Sequence, residues 1–366
     1  MNRTTLIIDG NWLMMSRLGV MMNKFSTELN ENQLQSASNE LVDFLAQSVN
    51  KIINFFGDSI DNIIMVQDGG SWRKHVRRPK LYQDEYKGNR VKDEALDWNY
   101  IWKSLDQFCQ NFKNANISCF SEKDCEGDDW CWYWSNELNK KGINTIIWSS
   151  DRDLQQLVTW NKNGSWTAWY NDKAGLVCHK SLKSETGDLL TDMLSISNQS
   201  QSFEYLKMML EQRFVDISYI DPLDIIMEKV ICGDSGDNIK AIMRLKKGDR
   251  IARVSEKEWG MVKEGYGSFL DNLNKFKAIA KPIIKELKQL KRFQGNADSE
   301  DDLYQMFLFN MRLVCLDSKY IPKEIKDRMK SHKDEYVVAD MESIINNYKV
   351  LAPSDDVPVD ELFDIF

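Results

Sequence analysis

Short apolar runs that lead into an acid recur along this chain. Thr5-Leu6-Ile7-Ile8 ends in Asp9, and Ile63-Ile64-Met65-Val66-Gln67 ends in Asp68. Ile146-Ile147-Trp148 leads to Asp151 and Asp153, and Val230-Ile231-Cys232 leads to Asp234 and Asp237. Apolar runs of this length bounded by turn residues read as buried strands, and the pattern predicts strands over 5–9, 62–67, 116–120 and 143–148. Between them, Leu41, Phe44, Leu45, Val49, Ile52 and Ile53 keep helical spacing, which predicts a helix over 40–56. Further helices are predicted over 96–112 and 128–141, the second stopped by Gly142. A short helix near 154–158 precedes a hairpin of 165–170 and 176–179 around Asp172–Gly175. The alternation implies an α/β fold with a mostly parallel central sheet flanked by helices.

After about residue 190 the pattern turns helical. Helices are expected over 224–232, over 265–293 with a break at Pro282, and over 301–316 and 334–347, with 295–300 as a connection. The tail from about residue 351 is acidic and contains proline, a composition that resists packing. The expected organisation is therefore an α/β part at 1–190, a helical part at 191–350 and a flexible tail at 351–366.

Composition narrows the class. The chain has 366 residues, of which 42% are hydrophobic, enough for a sizeable core. No apolar run approaches a membrane span, and the N-terminus does not resemble a secretory signal, so a cytoplasmic location is expected. The seven cysteines form no CxxC pair and read as reduced, buried thiols. With three histidines, a His-rich zinc site or a His-based triad is not expected. Hard, oxygen-bound metals remain as the means of acting on phosphate esters.

Net charge is −8, yet the charge is segregated. Residues 73–92 carry eight Lys/Arg against two acids, and residues 240–253 carry six against one. Local charge decides where a polyanion docks. Arg73, Lys74, Arg77, Arg78, Lys240, Arg244, Lys246, Lys247 and Arg250 are candidate nucleic-acid contacts. Trp72 lies inside the first basic stretch, where it reads equally as core or as a platform for a base. Lys281, Lys285, Lys288 and Arg292 share a helix face and read as a solvated surface or as a track for duplex.

The acids carry the chemistry. One Asp after a strand is ordinarily a cap or turn former. Here Asp9, Asp68, Glu126, Asp128, Asp129, Asp151, Asp153, Asp234 and Asp237 fall in five clusters. At a common sheet edge they would repel one another unless divalent cations lay between them. They are candidate ligands for Mg²⁺ or Mn²⁺. Tyr86-Lys87-Gly88-Asn89-Arg90 sets Lys87 and Arg90 on one side of a turn. That pair reads either as a solvated charge run or as a phosphate clamp.

Asp9, Asp68, the string 86–90, Glu126-Gly127-Asp128-Asp129, Asp151-Arg152-Asp153 and Gly233-Asp234-Ser235-Gly236-Asp237-Asn238-Ile239 occur in an order that resembles the 5′-nuclease superfamily. The likeness spans about residues 5–240 and is nearest to bacteriophage RNase H and flap nucleases. It implies a PIN-like nuclease domain followed by a helical, DNA-binding portion with a helix-three-turn-helix-like element after Gly233. It implies two Mg²⁺ or Mn²⁺ ions. Asp9, Asp68, Glu126 and Asp128 would form one group, and Asp129, Asp151, Asp153 and Asp237 the other, with Asp234 assisting. Lys87 and Arg90 would reach the scissile phosphate from the base of a helical arch. The implied activity is 5′-3′ exonuclease or flap endonuclease cleavage of DNA or RNA–DNA hybrid 5′ ends, as in RNA primer removal during replication. For a viral protein the compartment would be the host cytoplasm. Relatives usually continue with a Gly-rich turn, where this chain reads Lys240-Ala241-Ile242-Met243-Arg244, so the likeness does not carry a K⁺ site.

Two rivals were weighed. A haloacid dehalogenase-type phosphatase needs a second Asp two positions after the first, and that position is Asn11. A non-catalytic DNA-binding paralogue gains nothing from clustered carboxylates facing a polyanion. The tail ends in Leu362, Phe363, Ile365 and Phe366 among acids, which resembles C-terminal peptides that dock on a sliding clamp and, loosely, the tip of single-strand binding proteins.

Overall fold

The central strands take their place from full burial. The computed structural model describes residues 3–82, 84–182, 198–247, 250–267, 272–346 and 351. Strands β1 (Thr4–Asp9), β2 (Asn62–Val66) and β4 (Asn144–Trp148) are buried along their whole length, as strands covered on both faces must be. With β3 (Ser118–Phe120), the two-residue β5 (Thr159–Trp160), β6 (Trp166–Asn171), β7 (Gly175–His179) and β8 (Ile217–Ile220) they form one sheet, in the order β3-β2-β1-β4-β6-β7-β8. Pairings from β3 through β6 are parallel, β6 and β7 form the expected antiparallel hairpin, and β5 pairs antiparallel with β6.

Alternation along β1 divides the core. Leu6 and Ile8 face helices α1 (Gly10–Met21), α2 (Glu31–Phe56) and α3 (Trp98–Asn114), whereas Ile7 faces α4 (Gly127–Lys140). Helix α2 begins nine residues before the expected position, because Asn30 and Gln33 close a capping box there. Trp130, Trp134, Trp148, Trp166 and Trp169 are fully buried, as packing residues.

Beyond residue 190 the chain departs from a purely helical course. After α5 (Asn198–Gln212), β8 returns to the main sheet, parallel to β7. Its side chains are only half-buried or exposed, so the segment lacks the apolar run that marks the inner strands. Helix α6 (Pro222–Cys232) then leads to the short antiparallel pair β9 (Gly233–Asp234) and β10 (Ile239–Lys240), and to a hairpin of β11 (Arg244–Lys247) and β12 (Arg250–Arg253). The next helix, α7 (Glu256–Glu264), starts only at the Ser255 capping box. A β-hairpin thus follows the turn after Gly233, where the resemblance implies the start of a helix-three-turn-helix-like element.

Helices α8 (Leu273–Ala278), α9 (Ala280–Gln289), α10 (Glu300–Val314), α11 (Lys323–Ser331) and α12 (Met341–Asn346) follow. Pro282 sits in the first turn of α9, where its missing N–H costs nothing, and the break falls at Ile279. The helix expected over 334–347 is confined to α12 among the described residues. Helices α6, α7, α9 and α10 share an apolar core with Tyr82 and Tyr86. No helix among the described residues is long and apolar enough to cross a membrane.

Candidate active site

The register of the sheet brings the acids to one edge. Asp9 pairs with Val66 and Ile8 with Trp148, so Asp68 and Asp151 each lie just past the strand ends that flank Asp9. Ligand sites of open α/β sheets form at this carboxyl edge. Asp9 caps α1 by accepting the Trp12 N–H at 3.0 Å and accepts the Ser149 hydroxyl at 2.8 Å. Burial pushes its carboxyl up to about 7, with the Trp12 N–H opposing and the charge of Asp68 adding. Asn11 accepts the Asp68 N–H at 2.8 Å, so an amide serves two positions after Asp9.

Helix α4 delivers the second set. Its first residue, Gly127, donates its N–H to Asp68 Oδ1 at 2.6 Å. A Cβ on Gly127 would lie 3.3 Å from Asp68 Oδ1 and 3.8 Å from Asp9 Oδ1, so the absent side chain eases the close approach of Asp68, with Asp9 beside it. Burial and the charge of Asp151 drive the half-buried Asp128 carboxyl well above its usual range. Burial also opposes ionisation of Glu126, but Lys87 and Arg73 outweigh it and hold the carboxyl down at about 2.

Three of the expected site residues, Trp72, Arg73 and Asp129, lie inside the protein. Asp129 was placed with the metal ligands. It is fully buried, with the Arg73 guanidinium at 2.9 Å and 3.2 Å and the Trp72 indole N–H at 3.0 Å. Its oxygens are engaged by these donors and by the Glu126 N–H at 3.1 Å, which ties the start of α4 to Arg73 and Trp72. Trp72 and Arg73 were candidates for nucleic acid. Both are buried, and Arg73 also donates to Glu126 at 2.5 Å and to the Leu313 carbonyl at 2.9 Å. Burial disfavours the Arg73 charge, but Asp129 and Glu126 overcome it and raise its pKa further. Burying such a residue is tolerable because all three of its nitrogens reach acceptors, two of them carboxylates.

The basic string packs onto the glycine-rich turn. Tyr86 donates its hydroxyl to Asp237 at 2.8 Å, and Arg90 reaches the same carboxylate at 2.6 Å. Lys87 Nζ lies 2.5 Å from Glu126 and 3.9 Å from Asp237. Gly233 has φ +78, and an added Cβ would fall 2.4 Å from the Ala241 nitrogen, so the turn that presents Asp234 and Asp237 requires glycine. Asp234 accepts the Gly236 N–H at 2.8 Å and pairs with Lys229 at 2.6 Å, while Lys229 also contacts Asp153. No helical arch among the described residues carries Lys87 and Arg90. Among the described residues between His75 and Trp98 the chain forms turns and extended segments.

As they stand, no three of the acids among the described residues are grouped closely enough to hold an ion. Ammonium groups from Lys87 and Lys229 lie among them instead. Tyr86, Ser149, Asn11 and Lys229 were not assigned roles from sequence. For Lys229 the available signal was a lone lysine in an apolar helix just before Gly233-Asp234.

The remaining basic candidates divide. Lys74, Arg77 and Arg78 are exposed, with Arg78 paired to Glu85 at 3.1 Å. Lys240 is paired with Asp84 at 3.2 Å, and Arg244 donates to the Leu81 carbonyl at 3.3 Å. The side chains of Lys246, Lys247 and Arg250 lie outside the described residues, as do Leu362, Phe363, Ile365 and Phe366. The basic face of α9 is largely engaged locally: Lys281 pairs with Asp301, Arg292 with Glu258, and Lys288 with the Asp298 carbonyl. This favours a solvated surface over a duplex track.

Comparison with known proteins identifies the family of the chain. Residues 4–187 match the family described as the 5'-3' exonuclease N-terminal, resolvase-like domain. The chain is 24% identical over 343 residues to a 5'-3' exonuclease of Mycoplasmopsis pulmonis, covering 93% of this chain and 95% of that protein. A structure of the bacteriophage T5 5'-exonuclease with divalent zinc ions superposes with a TM-score of 0.52 at 17% identity, covering 92% of this chain and 100% of that one. A bacteriophage T5 flap endonuclease in a pseudo-enzyme-product complex with DNA and metal ions gives 0.50 at 18% identity, covering 96% and 100%. At these identities the two structures show a shared fold.

Proposed function

Since the chain belongs to the 5'-3' exonuclease family, we propose that it is a divalent-metal-dependent nuclease that hydrolyses phosphodiesters at 5′ ends and flap junctions of DNA or RNA–DNA hybrids. The observation that carries this reading is the approach of Asp9 Oδ1 and Asp68 Oδ1 to the side-chain-free Gly127, with Asp128 of the same helix held above its usual pKa range. Such acids gain most from a hard cation, and no histidine or cysteine competes as a ligand in that set. Asp9, Asp68, Glu126 and Asp128 would hold one Mg²⁺ or Mn²⁺, and Asp151, Asp153 and Asp237, assisted by Asp234, a second. When bound, the cations supply charge stabilisation to the transferring phosphoryl group and a lowered pKa to water.

The chain's own residues do the rest. Lys87 is held cationic at the cluster and can donate to a non-bridging oxygen of the scissile phosphate. Arg90 has its side chain 57% exposed and offers a planar fork outward from the same turn. Tyr86 holds one oxygen of the Asp237 carboxylate and Arg90 the other, so the carboxylate is positioned at the cleft by both. Exposed Lys74, Arg77 and Arg78 would take the phosphates of the strand leading to the site. Lys240, Arg244, Lys246, Lys247 and Arg250 would grip the duplex through the segment that includes the β11–β12 hairpin. Products would carry a 5′ phosphate. Removal of RNA primers during DNA replication is the cellular role that fits such a substrate.

A 5′-labelled flap substrate tests the reading. Cleavage that requires Mg²⁺ or Mn²⁺ and is abolished by Asp68→Asn is expected, whereas metal-independent or absent cleavage would reject it. We further propose that the aromatic, acidic tail docks on a sliding clamp or a single-strand binding protein. Deleting residues 355–366 should leave cleavage of short substrates intact and remove clamp binding in titrations. Unchanged binding would discard the docking idea.

A further inference from the structure

Lys229 lies in the last turn of α6, where a cation favours the helix C-terminus. Its Nζ contacts the Asp153 carboxylate and lies 2.6 Å from Asp234 Oδ2. Asp153 follows β4 and Asp234 follows α6, so one ammonium joins acids from two motifs about eighty residues apart in the chain. The three side chains are between 16% and 19% exposed, which places the contact inside the cleft rather than on a freely solvated surface.

Lys229 has no part in the catalytic set read from the sequence, and its geometry gives it another. An ammonium brings one charge to two carboxylates, whereas a divalent cation brings two and a stronger field. Both compete for the same oxygens. A lysine on a flexible four-carbon stem at a helix end can leave without disturbing the backbone. We propose that Lys229 is a resident counter-ion. It neutralises Asp153 and Asp234 before metal arrives, holds their two loops together, and is displaced when a divalent cation takes those carboxylates. It thereby sets the metal concentration at which the second acid group becomes occupied. The proposal rests on the reading of these acids as cation ligands.

The test is Mn²⁺ binding to the full chain without DNA, read from the electron paramagnetic resonance signal of free Mn²⁺. Lys229→Met and Lys229→Gln should bind the weaker Mn²⁺ equivalent about tenfold more tightly than wild type, a modest fraction of the bare pairwise attraction after screening. Lys229→Arg should stay near wild type. In EDTA the Met and Gln variants should melt lower than wild type, and Mn²⁺ should close the gap. A role confined to packing would lower the melting temperature with and without metal and leave affinity unmoved. Equal or weaker Mn²⁺ binding by the Met and Gln variants overturns the proposal. Absence of Mn²⁺ binding by wild type and all variants overturns it together with the cation reading. Wild type offers a check that needs no stable neutral variant. The Lys229 ammonium signal in ¹⁵N-lysine spectra, assigned by its loss in Lys229→Arg, should be visible in EDTA and broaden on adding Mg²⁺. A signal unchanged at saturating Mg²⁺ overturns displacement.

Discussion

Lys87 meets Asp237 through both backbone and side chain: its N–H donates to the Asp237 carbonyl at 2.9 Å, and its Nζ stands 3.9 Å from the carboxylate. Around this contact Tyr82 donates to the Asn238 carbonyl at 2.5 Å, Asn238 to the Glu85 carbonyl at 2.7 Å, and Asn89 to the Ser235 carbonyl at 2.8 Å. Lys87 has φ +55 and Asn238 φ +58, conformations that persist only where neighbours enforce them. Lys87 and the acid turn are therefore one rigid unit built from two distant parts of the chain.

The proposed role of Lys87 at the reacting phosphate makes Lys87→Ala a defect of the chemical step. Single-turnover cleavage of a 5′ flap should slow by roughly 10²–10³-fold, with the dissociation constant for the same DNA little changed. Fluorescence anisotropy in Ca²⁺ beside rapid-quench kinetics in Mg²⁺ separates the two. An effect confined to binding would move Lys87 from the reacting centre to the docking groove.

Gly127→Ala places a methyl group 3.3 Å from Asp68 Oδ1. The helix gains in propensity while the carboxylate is pushed aside. Unfolding free energy should stay within about 1 kcal/mol of wild type, whereas Mg²⁺-dependent cleavage should fall about tenfold, as small displacements of catalytic groups do. Urea titration and initial rates on one preparation check the pair of outcomes.

Arg73→Ala leaves Glu126 and Asp129 buried without their main partner. The expected loss is about 3–5 kcal/mol of stability, measured by denaturant unfolding. Trp72→Phe, which removes the indole N–H to Asp129 and part of the buried ring, should cost about 1–3 kcal/mol and leave DNA affinity unchanged. A clearly weakened DNA affinity in Trp72→Phe would restore this tryptophan to the nucleic-acid surface.

Glu122 ties the loop before α4 to the C-terminal end of α11, with His332 Nε2 at 3.1 Å and Arg328 at 3.4 Å. The His332 hydrogen bond, against burial, lowers its pKa below the ordinary 4.5. A lowered folded-state value means that its stabilisation is fully present above about 4.5 and is lost as pH falls through that lower value. Glu122→Gln should therefore lose roughly 1 kcal/mol at neutral pH and show a shallower acid limb than wild type. Melting curves between neutral pH and pH ~3 provide the comparison.

The strand-and-acid rhythm was open to sequence reading because each inner strand is short, apolar and closed by a carboxylate. Leu6, Ile8, Ile63, Ile146 and Trp148 have no other place than a covered sheet. The hairpin of β6 and β7 announced itself by turn residues at Asp172–Gly175. Strand β8 did not, because its half-exposed side chains look like loop.

Within the acid cluster, sequence alone determined which residue types gather at the carboxyl edge of the sheet, since strand direction and period fix where each acid emerges. It could not determine which acids face a ligand and which face the protein. Asp128 and Asp129 are neighbours on one helix, yet one looks into the cleft and the other is held by Arg73 and Trp72. Helical geometry turns successive side chains by about 100°, and only the packing of α4 against the chain around Arg73 decides which of the two is turned inward. Lys229 follows the same rule. Its contact with Asp153 depends on where α6 docks beside β4, a relation that long-range packing sets and local pattern does not encode.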